Sequence, residues 1–108
     1  MTEQITLLGR LGQEPDLKHT QSQKAVCTFS IAVATNSDKT EWHNIVVFGD
    51  EATFCKATLK KGQEVFVHGR IKNNSWTDRN NITHEKKELI ANQIGLTYFN
   101  KNNTYTNG

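Results

Sequence analysis

The stretch Glu41-Trp42-His43-Asn44-Ile45-Val46-Val47-Phe48-Gly49 decides the fold. It is rich in β-branched and aromatic residues and ends on glycine, the composition of a strand stopped by a turn. Successive side chains of a strand point to opposite faces. Trp42, Asn44, Val46 and Phe48 therefore share one face, and His43, Ile45 and Val47 the other. Periodicity alone leaves two readings open. In one, Ile45 and Val47 enter a core, and Trp42 and Phe48 stand in water about 20 Å apart at ~3.3 Å per residue. In the other, the aromatics are the core. Exposed aromatics on a sheet need a reason, and stacking of unpaired bases is one.

Outward from this segment the period stays at two. Residues 24–35 form a long strand with Ala25, Cys27, Phe29, Ile31 and Val33 on one face, and Asn36-Ser37-Asp38-Lys39 is the turn between the two. Ile5, Leu7, Gly9 and Leu11 mark a first strand, with Gly9 and Gly12 at a bend or bulge. Residues 13–23 are polar, hold the only proline, and read as a loop. On the other side, Asp50 is placed to cap a helix over 51–61. Its inner stripe is Ala52, Cys55 (or Lys56) and Leu59, and Gly62 is its stop. Residues 63–73 are a fourth strand, 73–81 a polar hairpin carrying Trp76, and 82–96 a fifth strand interrupted by Glu85-Lys86-Lys87-Glu88. Residues 99–108 have nothing to bury and are expected to be disordered. The order is β-β-β-α-β-β, an all-β class. One helix between strands three and four suits the five-stranded Greek-key barrel of the oligonucleotide/oligosaccharide-binding (OB) fold, here one domain over 1–98.

The chain has 108 residues, 35% of them hydrophobic, so it makes one domain with a small core that a second subunit would help to bury. No apolar run approaches the roughly 20 residues of a membrane span, and the polar Met-Thr-Glu-Gln start is not a signal peptide. A net charge of +2 does not by itself indicate nucleic acid. Cys27 and Cys55 read as reduced core thiols. The four histidines have no metal-ligand spacing. There is no nucleophile elbow and no phosphate-binding glycine loop. The chain thus reads as no enzyme, with no metal and no cofactor.

The fourth strand narrows the choice of face. Val65, Val67, Gly69 and Ile71 make its core side, leaving Phe66, His68, Arg70 and Lys72 opposite, with Trp76 just beyond. A face of aromatics and basic residues fits a groove that tracks a backbone and stacks bases. Lys60 and Lys61 either complement the helix C-terminus or contact phosphate, as Arg70 and Lys72 do on this reading. No fork of side chains for reading base edges is visible, so binding carries no base code.

Four blocks then carry a resemblance to a known family. They are Leu8-Gly9-Arg10-Leu11-Gly12-Gln13-Glu14-Pro15-Asp16, Thr40 with the segment quoted above, Leu59-Lys60-Lys61-Gly62-Gln63-Glu64-Val65-Phe66-Val67-His68-Gly69-Arg70, and Trp76-Thr77-Asp78. In order and spacing the chain resembles the bacterial-type single-stranded DNA-binding proteins. The Thr-Glu-Trp-His…Phe-Gly block is specific, and the Lys-Lys-Gly turn is weak alone. The resemblance implies an OB barrel, usually assembled as a homotetramer; a dimer is the alternative assembly. Such proteins coat single-stranded DNA without sequence preference in replication, recombination and repair, in the cytoplasm at the nucleoid. It implies stacking by Trp42, Phe48 and Trp76, phosphate contact by Lys61 and Lys72, and a subunit interface at His43. The turn before Thr40 lacks the tryptophan often found there, and Asn44 and Asp50 stand where members often carry basic residues. The family's Gly/Pro-rich linker and acidic tip are not found in 99–108, so recruitment of replication and repair enzymes is not implied. The alternative is a replication-restart protein resembling PriB, also tail-less, whose main job is bridging partners; such chains lack the Trp-His…Phe-Gly block.

Overall fold

Alternating apolar residues give the chain strands with one face to bury, and the computed structural model, which describes residues 3–97, wraps them into a closed ring. The elements are β1 (Gln4–Leu11), β2 (Asp16–His19), β3 (Ala25–Ala34), β4 (Thr40–Phe48), α1 (Asp50–Thr58), β5 (Glu64–Thr77) and β6 (Thr83–Leu96). β1 pairs with β5 over Gln4 to Arg10 and with β3 at Arg10 and Leu11. β3 pairs with β4, and β5 with β6. The ring closes by a parallel pairing of Asn44, Ile45 and Val46 on β4 with Glu88, Leu89 and Ile90 on β6. With the short β2 set aside as an edge strand on β3, this is the expected five-stranded OB barrel with its helix between the third and fourth barrel strands.

Cys27, Phe29 and Ile31 from β3, Ile45 and Val47 from β4, and Val65 and Val67 from β5 fill the interior. Each such aliphatic contributes roughly 1.5–3 kcal/mol when fully buried. Ala52 and Cys55 of α1, with Leu59 after it, close one end, as the stripe read from the sequence requires. Both thiols are free. Burial raises the Cys27 thiol and pushes Cys55 up to about 12, which shuts off thiolate chemistry near neutral pH. Gly69 sits where β5 slips register against β6, and a Cβ there would strike the Ile90 backbone. Only glycine permits that approach.

The structure corrects several boundaries. The loop expected over 13–23 contains β2, whose Leu17 packs on the core and whose register on β3 runs from Asp16↔Thr28 to His19↔Ala25. Asp50 does not cap the helix: Gly49 is the N-cap, without a side-chain hydrogen bond. Asp50 and Glu51 lie in the first turn, where their charge suits the helix dipole. The helix ends at Thr58, not 61; Leu59 turns extended and donates its N–H to Cys55 O. Gly62, at φ +86°, instead makes the turn into β5. The fifth strand is not interrupted at Glu85–Glu88. Both β5 and β6 run 14 residues and pair from Lys72↔Glu88 out to Thr77↔Thr83, forming a two-stranded arm. Charged residues suit an arm that is wet on both faces, and Trp76 therefore lies on a strand rather than in a hairpin loop. The disorder expected for 99–108 lies outside the described residues.

Candidate nucleic-acid interface

The barrel resolves the choice of faces on β4. Ile45 and Val47 are buried, while Trp42 and Phe48 are 59% and 40% exposed. Val46 is the exception on the outer face: it is buried, between Thr28 on β3 and Ile90 on β6. Trp42 lies over Gly12, where a Cβ would collide with its six-membered ring. At the other end of β4, Lys24 Nζ sits 5.8 Å from the Phe48 ring centroid, within cation–π range.

Two outward-facing rows cross the sheet between these aromatics. Ser30, Asn44, Glu88 and Lys72 form one, and Thr28, Val46, Ile90 and Arg70 the next. Barrel closure thus sets Arg70 and Lys72 of β5 on the same continuous surface as Trp42 and Phe48 of β4. Neither cation is in an ion pair among the described residues.

Trp76 extends this surface along the arm and is 49% exposed. Its partner across the arm, His84, stacks beneath it with ring centroids 5.3 Å apart and planes 19° apart. His84 Nε2 lies 2.6 Å from Asp78 Oδ2. Asp78 Oδ1 accepts the backbone N–H groups of Asn80 and Ile82. The bond to His84, then those backbone donors, hold the Asp78 carboxyl below its ordinary range. One carboxylate thereby shapes the turn and orients the ring under the indole.

The remaining expected residues lie elsewhere. Phe66 packs over Gly95 and faces Leu8 on β1, away from the β4 aromatics. Lys60 and Lys61 follow the C-cap Leu59, just past the end of α1, and Lys56 occupies its last turn. The N–H of Lys61 donates to Glu14 Oε2, tying this turn to the loop after β1. His43 points to the inner side of β4. Its Nε2 is buried and finds no hydrogen-bond partner among the described residues, although Glu41 Oε1 is 3.4 Å away, out of line. Sequence reading missed Lys24, His84 and Asp78. The signal for the first two is register: Val26↔Phe48 puts Lys24 near the ring, and Trp76↔His84 makes the pair; Asp78 is placed by the turn that its carboxylate organises.

Three π-faces in water, flanked by cations that form no ion pair among the described residues, can stack flat rings and neutralise a chain of phosphates. No group of three or more His, Cys, Asp or Glu gathers among the described residues to hold a metal.

Comparison with known proteins agrees in kind. Single-stranded DNA-binding protein 1 of Chlorobaculum tepidum is 36% identical over 91 residues, covering 77% of this chain and 55% of its own. The single-stranded DNA-binding proteins of Neisseria meningitidis and Xanthomonas campestris are 30% and 29% identical over 100 residues, 85% of this chain and 58% of theirs. The chain thus spans little more than half the length of these curated relatives. The model of the Single-strand binding protein family matches residues 2–97. The chain belongs to that family.

Proposed function

We propose that this chain binds single-stranded DNA by stacking bases on Trp42, Phe48 and Trp76, while Arg70, Lys72 and Lys24 meet the phosphates. The observation that carries this is the placement of exposed Trp42 and Phe48 on the outer face of β4 and exposed Trp76 on the arm, with Arg70 and Lys72 in the rows between them. Stacking is worth roughly 1–3 kcal/mol per base and tolerates any base. It selects single strands, because bases in a duplex already stack on one another. Lys60 and Lys61 extend the path past the loop after β1. The protein acts as a binder, not an enzyme, in the handling of DNA during replication, recombination and repair.

The family relationship and two features of this chain support self-assembly. The buried His43 Nε2 finds no hydrogen-bond partner among the described residues, and Leu8 and Phe66 leave an apolar patch on the β1–β5 surface. We take the assembly to be a homotetramer. No helix among the described residues is long and apolar enough to cross a membrane, and cytoplasmic DNA is the partner we assign.

Titrating intrinsic tryptophan fluorescence with oligo-dT tests the reading. Quenching that saturates at a fixed stoichiometry, and is absent with a duplex of the same length, is the expected result. Unquenched fluorescence at stoichiometric oligo-dT would rule out stacking on Trp42 and Trp76.

A further inference from the structure

Trp76 stands on a two-stranded arm that is wet on both faces, outside the buried core. By alternation it shares one face of β5 with Lys72 and Asn74. An indole at such a position moves between staggered rotamers. A base that settles on a moving ring must first stop it, and the lost freedom weakens the stack. His84 faces Trp76 directly across the arm. The two rings lie 19° from parallel with centroids 5.3 Å apart, inside the roughly 4.5–7 Å range of offset-stacked aromatics. Among the described residues no other ring and no cation lies over Trp76, so its opposite face is open.

The imidazole is itself anchored. The Asp78 carboxyl is held below its ordinary range, and an ionised carboxylate only accepts hydrogen bonds. His84 Nε2 therefore donates to Asp78 Oδ2, at 2.6 Å. Oδ1 accepts the N–H of Asn80 at 2.8 Å and of Ile82 at 3.0 Å, which fixes the carboxylate to the turn backbone. Rigidity thus passes from the hairpin turn to the carboxylate, the imidazole and the indole. The His84 side chain is still 43% exposed, so burial does not account for the arrangement. Strand propensity is served as well by valine, which has no flat ring. We propose that His84 is a positioning residue for single-stranded DNA: it holds the Trp76 indole in its binding orientation, so that the ring takes one base on its open face. The proposal rests on the stacking reading above and adds a residue that acts without touching the DNA.

Trp42→Phe leaves Trp76 as the sole tryptophan and is the background for the test. Ring mobility is read from the fluorescence anisotropy of the indole, and affinity from that of a dye-labelled oligo-dT. His84→Val keeps a good strand former and removes the flat ring. It is expected to lower the indole anisotropy of the unliganded protein and to weaken oligo-dT binding about fivefold, part of the weight of one stacked base. His84→Phe, whose apolar ring stays on the indole without the anchor, is expected to bind within about twofold of the parent. With Trp76→Leu added, His84→Val should weaken binding no further. Valine binding as tightly as histidine, or phenylalanine binding as weakly as valine, overturns the positioning role and leaves single-strand binding standing. A loss that persists with Trp76→Leu also overturns it, because His84 then acts other than through the indole. Failure of oligo-dT to bind the wild-type chain or quench its fluorescence removes the stacking reading and this proposal together.

Discussion

Gly12→Ala places one methyl beneath the Trp42 indole. An ideal Cβ at this position lies 2.7 Å from Cη2 and closer still to Cζ3. Carbon atoms in contact keep about 3.5–4.0 Å apart, so the ring has to move by about 1 Å. It moves outward, since Trp42 is on the surface and carries no core packing. Gly12 is not among the positive-φ glycines, so alanine fits its backbone. Replacing glycine at a compatible site stiffens the unfolded chain and stabilises by ~0.4–1 kcal/mol, which offsets much of the displacement. The expected change in folding stability is therefore under about 1 kcal/mol. Binding suffers more, because a displaced ring loses part of the roughly 1–3 kcal/mol that a stacked base contributes. A loss of ~1 kcal/mol, about fivefold in Kd, is expected from oligo-dT titration of a variant whose thermal unfolding is near wild type. In a Trp42→Ala background the same change should have no effect. Equal weakening in both backgrounds, or no weakening in either, would refute the claim that Gly12 sets the height of the platform.

Trp42→Ala and Trp76→Ala should each weaken oligo-dT binding by about 1–3 kcal/mol with the barrel still folded; wild-type affinity in both removes the stacking surface. Lys72→Ala should lower the slope of log affinity against log salt by about 0.7, and an unchanged slope means that Lys72 does not meet phosphate. The Asp78 carboxyl is held low by His84 and two backbone donors. Its stabilising contribution is complete above the ordinary aspartate value of about 3.9 and fades as pH falls through the lower folded value. Urea unfolding of wild type and Asp78→Asn should therefore converge on acidification below about pH 4; a constant gap down to strong acid contradicts this. Cys27 and Cys55 should resist thiol reagents in the native protein and react on unfolding; rapid labelling without denaturant would show that they are not sealed.

Strands with one wet and one dry face were legible because their pattern repeats every second residue, and β3, β4 and the barrel part of β5 carry it plainly. The stripe Ala52, Cys55 and Leu59 likewise located α1. The arm was misread because its residues face water on both sides, so Asn73 to Glu88 carry no burial signal and look like loop. β2 was missed because one inward leucine, Leu17, among Asp16, Lys18 and His19 makes no pattern. Periodicity put Trp42 and Phe48 on one face of a strand, and the resemblance implied that they and Trp76 stack bases, but the composition of the surface between them was not legible. Asn44, Glu88 and Lys72 lie far apart in the chain and meet only through strand pairing. Phe66 shared a face with Arg70 on one strand, yet barrel curvature turned it toward Leu8.

The parallel seam joining Asn44–Val46 to Glu88–Ile90 bears on how this protein is made. A ribosome delivers β1 through β4 long before Ile90 emerges. During that interval the free rim of β4 offers bare peptide groups, beside an apolar row that has no lid. Contacts between residues so distant along the chain carry a loop-closure cost and form slowly. An unsealed half-barrel is the species open to mispairing with another nascent chain. Substitutions in β6 that leave the finished barrel stable can therefore still reduce soluble yield, by lengthening the time before the seam closes.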